Sequence, residues 1–183
     1  MTDALLMDAR ALDAVVRLAA GGDEAAFARL VEDHHAAMAK VAYVICGDAE
    51  ATRDAVQSAW AIAWRRLGTL RDPSQVRAWL VAIAANEARA ALRRRRRGGP
   101  TLELDNLLDL PGGGADPADR IALVDLRRAL AGLAPEDRAL LALRYVAGLD
   151  SGEIATQLRM SASGVRSRLS RLLDKLRTEL DHG

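Results

Sequence analysis

The sequence predicts an all-α protein of two helical domains joined by a flexible linker, and three observations predict it. Apolar residues recur at helical spacing through most segments, polar cap residues punctuate them, and one Gly- and Pro-rich stretch, 98–119, interrupts the pattern. Half of the 183 residues are hydrophobic but only 3% are aromatic, so the core is built mainly from Ala, Leu and Val. Such a composition favours helices packed at close range. The lone Cys46 excludes an internal disulfide and a cysteine-based zinc site. His34, His35 and His182 lack a metal-ligand arrangement, so neither a metal nor a cofactor is expected. No basic start leads into an apolar run, and no stretch is long and uncharged enough to span a bilayer. Membrane insertion is therefore not expected and a cytoplasmic location is.

The N-terminal domain, 1–97, reads as four helices. The first runs from Ala4 to Ala20 and stops at Gly21-Gly22. Asp23 caps the second, in which Phe27, Leu30, Val31, His34, Met38, Val41 and Ile45 share a face before Gly47. Asp48 caps the third, with Val56, Ala59, Trp60, Ala63, Trp64 and Leu67 on one stripe, and Gly68 ends it. Asp72-Pro73-Ser74-Gln75 starts the fourth: Asp as cap, Pro at the first helical position, Gln placed to reach back. Val76, Trp79, Leu80, Ile83 and Ala84 point inward from it, and it ends in Arg93–Arg97. The three tryptophans read as core rather than contact. The run Arg93–Arg97 suits phosphate contact, or a solvated helix end complementing the C-terminal dipole.

Residues 98–119 carry Gly98-Gly99-Pro100, Pro111-Gly112-Gly113-Gly114 and Asp116-Pro117, which no helix continues through. The apolar island Leu102–Leu110 suits a turn of helix or a docking segment. The C-terminal domain, 120–183, holds four more helices. These are Ile121–Ala131, a second opened by Pro135 and ended by Gly148, a short third from the capping box Asp150–Glu153 through Leu158, and a last from Ser161 to about Leu180.

A net charge of +1 conceals alternating blocks: −5 over 1–57, +8 over 58–97, −5 over 98–119 and +3 over 120–183. Such a chain meets an acidic polymer at two places. The two last helices, joined by about three residues, form a helix-turn-helix in which Ile154, Leu158, Val165 and Leu169 close a small core. Its second helix exposes Ser163, Arg166, Ser167, Ser170 and Arg171, and between Arg159 and Leu173 there are four Arg and no acid. Arg forks onto a guanine edge in the major groove, and Ser bonds base or phosphate. A solvated basic helix in an ordinary bundle is the plainer alternative. No nucleophile–base set and no P-loop is present, so an enzyme is not expected.

The strings Leu140-Leu141-Ala142-Leu143-Arg144-Tyr145 and Glu153-Ile154-Ala155 resemble the start of region four of bacterial sigma factors, and Val165-Arg166-Ser167-Arg168-Leu169 its recognition helix. In particular the chain is similar to the extracytoplasmic-function (ECF) group. Gly22–Val31 resembles the opening of region two, and Arg77-Ala78-Trp79-Leu80, Ile83-Ala84 and Asn86 its helix near the −10 element. The resemblance covers about 20–97 and 122–180. It implies an initiation factor that binds core RNA polymerase through Asp54 and Gln57 and reads the −35 promoter element with the last helix. It further implies that the loop Gly68–Ser74, with Thr69, Arg71, Asp72 and Ser74, holds the melted −10 strand together with Asn86, and that an anti-sigma factor masks the polymerase-binding surface. Arg53 and Ser58 stand where the family usually carries acids, Ala82 and Ala85 where basic residues are common, and His34 where an aromatic is frequent. Two other readings use the same motif: a stand-alone dimeric repressor or activator, and a sigma-like protein that titrates polymerase or a regulator.

Overall fold

The computed structural model describes residues 2–98, 124–126 and 128–181, without the side chains of 2–9, 96–98 and 181. Among the described residues there is no strand. Four helices make the N-terminal part: α1 (Thr2–Ala20), α2 (Glu24–Cys46), α3 (Ala49–Arg66) and α4 (Val76–Gly98). Short acids cap two of them, because the first turn of a helix has N–H groups without helical acceptors. Asp23 accepts from the Ala26 N–H at 2.8 Å and Asp48 from the Ala51 N–H at 2.8 Å. Gly47 ends α2 in the left-handed region at φ 78°, where a side chain would be strained.

Between α3 and α4 the chain is tighter than predicted. Helix α3 ends at Arg66, and a 3-10 turn, Leu67–Thr69, follows it through the expected stop at Gly68. A second 3-10 turn, Pro73–Gln75, leads into α4. Asp72 accepts from the Ser74 N–H at 3.0 Å and the Ser74 hydroxyl at 2.7 Å. Ser74 thus takes up the capping oxygen, and no reach-back bond from the Gln75 side chain is found among the described residues.

In the C-terminal part, residues 124–126 and 128–131 are helical, the described portion of the expected helix Ile121–Ala131. Then come α5 (Pro135–Leu141), α6 (Ser151–Leu158) and α7 (Ala162–Asp181). The single helix expected from Pro135 to Gly148 changes to a π turn over Ala142–Val146, with the Ala147 N–H on the Ala142 carbonyl at 2.9 Å. The wider turn buries both Leu143 and Leu149, at 0% and 1% exposure, and turns Tyr145 outward.

Helices α2, α3 and α4 pack on one another and α1 packs on α2. Helix α5, the π turn and α6 then pack against α4, and α5 and the π turn also reach α2, so both halves share one core. The cause lies in α4. Its buried positions Val76, Ala78, Leu80, Val81, Ala82, Ala84, Ala85, Ala88, Ala91 and Leu92 cover roughly two thirds of the circumference at 3.6 residues per turn. An apolar helix of that width needs neighbours on two sides. The predicted linker, 98–119, with its island Leu102–Leu110, lies outside the described residues apart from the end of α4.

The tryptophans divide. Trp60 and Trp79 are partly buried against the core, and the Trp60 Nε1–H donates to His35 Nδ1 at 3.2 Å. Trp64 is instead 40% exposed, with its ring edge-on to Phe27 at 4.8 Å. Its expected core role is corrected: among the described residues, no further helix closes over that end of α3.

Candidate nucleic-acid interface

Helices α6 and α7 form the helix-turn-helix. The capping box is complete: the Glu153 N–H donates to Asp150 at 2.8 Å, and the Asp150 N–H donates to the Glu153 carboxylate at 2.7 Å. Helix α6 ends on Arg159, a non-glycine residue at φ 54°, and Ser161 caps α7 by accepting from the Gly164 N–H at 3.0 Å. A Cβ at Gly164 would lie 2.9 Å from that serine oxygen, so glycine keeps the cap intact. Ile154, Val165 and Leu169 are buried and Leu158 packs against them in the common core, as their spacing predicts.

Helix α7 is pinned to α5 by Arg168, whose Nε donates to Asp137 at 2.7 Å. Ser163, Arg166, Ser167, Ser170 and Arg171 are all exposed, and their spacing of three and four places them on one face. The structure therefore separates the arginines by role. Arg168 is structural, whereas Arg166 and Arg171 face solvent.

The second group of predicted residues splits in two. Thr69, Arg71, Asp72 and Ser74 come together in the exposed α3–α4 connection, where the Thr69 hydroxyl donates to the Arg66 carbonyl at 2.7 Å. Asn86 lies elsewhere, about 15 Å along α4 from its start at 1.5 Å per residue. Its Oδ1 accepts from Arg89 at 2.7 Å. It lines a cleft of about 320 Å³ with Arg66, Trp79, Ala82 and Ile83 on one side and Thr156, Gln157 and Arg159 of the C-terminal part on the other. Ala82 and Ala85 are buried at 3% and 0% exposure. Asp54 and Gln57 are exposed three residues apart on α3.

The polyarginine end of α4 is partly engaged within the chain. Arg95 pairs with Asp48, the α3 cap, and Arg93 lies 3.7 Å from Glu136 of α5. Burial lowers the pKa of Arg89, with Glu136 opposing and Arg93 and Arg168 adding to the shift. The Cys46 thiol is pushed up to about 12, first by burial and then by Asp48, so it stays protonated and unreactive. Among the described residues, no group of His, Cys, Asp or Glu is placed to hold a metal ion, and no helix is long and apolar enough to cross a membrane.

A capped helix pair presenting an acid-free Arg/Ser face defines a helix-turn-helix DNA-binding protein. Family models agree: sigma-70 region 2 matches residues 30–98 and sigma-70 region 4 matches 123–176. The RNA polymerase sigma factor NccH of Alcaligenes xylosoxydans xylosoxydans is 32% identical over 90% of this chain and 91% of its own. The probable RNA polymerase sigma factor RfaY of Xanthomonas campestris pv. campestris is 32% identical over 95% of this chain, which spans 46% of that longer protein. Among solved structures, CnrH in complex with the cytosolic domain of CnrY matches with a TM-score of 0.68 and 27% identity, covering 92% of this chain and 96% of that one. The chain belongs to the ECF sigma factors of RNA polymerase.

Proposed function

We propose that this chain binds core RNA polymerase in the cytoplasm and directs it to promoters through two DNA contacts, contributing no catalytic group of its own. The observation that carries the reading is the exposed face of α7: two arginines and three serines on one side of a capped helix, without an acid among them. Ser163, Arg166, Ser167, Ser170 and Arg171 read the −35 duplex. Thr69, Arg71, Asp72 and Ser74 hold the melted −10 strand, and Asn86 extends that contact along α4. Asp54 and Gln57, exposed together, meet the polymerase. The division into 1–97, 98–119 and 120–183 assigns one DNA contact to each domain. An anti-sigma partner fits this reading, since the similar CnrH was solved with the cytosolic domain of CnrY.

Transcription in vitro with core polymerase tests this. Promoter-dependent initiation that requires the chain is expected, and none across a screen of templates would reject the reading. Arg166→Ala and Arg171→Ala are each expected to weaken −35 duplex binding by about 1–3 kcal/mol. Unchanged affinity in both variants would remove these residues from the interface.

A further inference from the structure

The cleft beside Asn86 gathers side chains that the fold itself leaves unused. Its volume of about 320 Å³ lies at the small end of the roughly 300–1,000 Å³ of ligand sites. Arg66, the last residue of α3, and Arg159, which follows α6, line it together with Trp79, Asn86 and Gln157. Among the described residues no carboxylate lines this cleft, and neither arginine side chain is in an ion pair. We propose that the cleft binds a free purine nucleotide, its phosphate held by Arg66 and Arg159 and its base lying against Trp79. Such a site needs neither promoter DNA nor polymerase, so it stands apart from the functional reading above.

Arginine suits this ligand because its planar fork bonds phosphate oxygens in pairs and keeps its charge at every physiological pH. Two unpaired guanidinia around one cleft repel each other, and an anion between them replaces that repulsion with attraction. Arg159 carries a second sign. It is the one non-glycine residue with positive φ among the described residues, at 54°, a conformation that glycine adopts freely and arginine at a cost. Strain of this kind gathers where a side chain is needed in a fixed place, and this side chain lies at the cleft. The remaining lining fits a base. Ala82 and Ile83 add apolar surface beside the Trp79 indole, and every base has a face that stacks on an aromatic ring. The Asn86 Oδ1 is taken by Arg89 at 2.7 Å, so its amide offers N–H donors. N7, common to both purines, accepts such a donor, and the Gln157 amide has a donor and an acceptor for the groups in which adenine and guanine differ.

Isothermal titration calorimetry of the full chain with AMP tests this. Saturable binding at one site per chain is expected, with adenosine and inorganic phosphate each weaker by at least about tenfold, since each lacks part of the contacts. Arg66→Ala and Arg159→Ala, both at exposed positions, are each expected to weaken AMP by about tenfold or more. Arg29→Ala, which removes an exposed charge on α2, is expected to leave it within about twofold. Irradiated 8-azido-AMP is expected to label peptides containing Trp79 or Gln157. Inorganic phosphate binding as tightly as AMP would reduce the cleft to a general anion site and overturn the proposal. So would a short oligodeoxyadenylate that binds about tenfold more tightly than AMP and loses as much in Arg66→Ala, since the cleft would then belong to a strand. No heat of binding at millimolar AMP, or equal binding in both arginine variants, overturns it as well.

Discussion

His34 shows how one residue acquires a property from its surroundings. It is half-buried on α2, and its Nε2 is shielded from water with no hydrogen-bond partner among the described residues. Burial lowers its pKa, Arg77 adds to the shift, and Asp33 opposes it. The folded protein therefore prefers the neutral ring more than the unfolded chain does, whose histidine titrates near about 6.5. The stabilisation is complete above that pH and is lost as pH falls through the lower folded value. Urea midpoints are expected to fall between pH 7.5 and 5.5 by more in the wild type than in His34→Gln. Equal slopes in the two proteins would discard this account. Sequence spacing placed His34 on the helix face that packs inward, but not the absence of an acceptor, which depends on atoms from other helices. The same holds for Arg168 and Gly164. Their helix was legible, while the ion pair to Asp137 and the crowding against Ser161 needed the fold.

At the scale of elements, caps were the most legible feature. Asp23, Asp48, Asp150 and Ser161 all cap as read, because a cap is a local bond spanning two or three residues. The turn after α6 was less legible. Arg159 sits at φ 54°, ψ 46°, a conformation that glycine adopts freely and other residues adopt at a cost. Arg159→Gly is expected to stabilise the chain by about 1 kcal/mol in chemical denaturation. The same variant is expected to weaken duplex binding through loss of a cation beside the recognition helix. Lower stability in the variant would show that the arginine side chain, rather than its backbone, holds the turn. The π turn at Ala142–Val146 had no sequence signal, since its extra residue serves to bury Leu143 and Leu149 together.

In the whole molecule, the alanine-rich α4 is the common wall of both halves, touching α2 and α3 on one side and α5 and α6 on the other. Shared burial couples their unfolding. Calorimetry is expected to give one cooperative transition for the free chain, and Ala82→Arg, at an alanine lining the cleft between the two parts, to split it into two by releasing the C-terminal part. Two transitions in the wild type would mean that the halves are energetically independent. The sequence by itself determined the helices, their caps, the helix-turn-helix and the face of α7, because each is set by spacing within one segment. Only the tertiary structure decided that α4 is covered on two sides, that Asn86 lies in a cleft rather than beside Thr69–Ser74, and that Trp64 is exposed. Those outcomes depend on which distant surfaces meet, and Ala82, which lines the cleft between the two parts, is small enough to let them meet there.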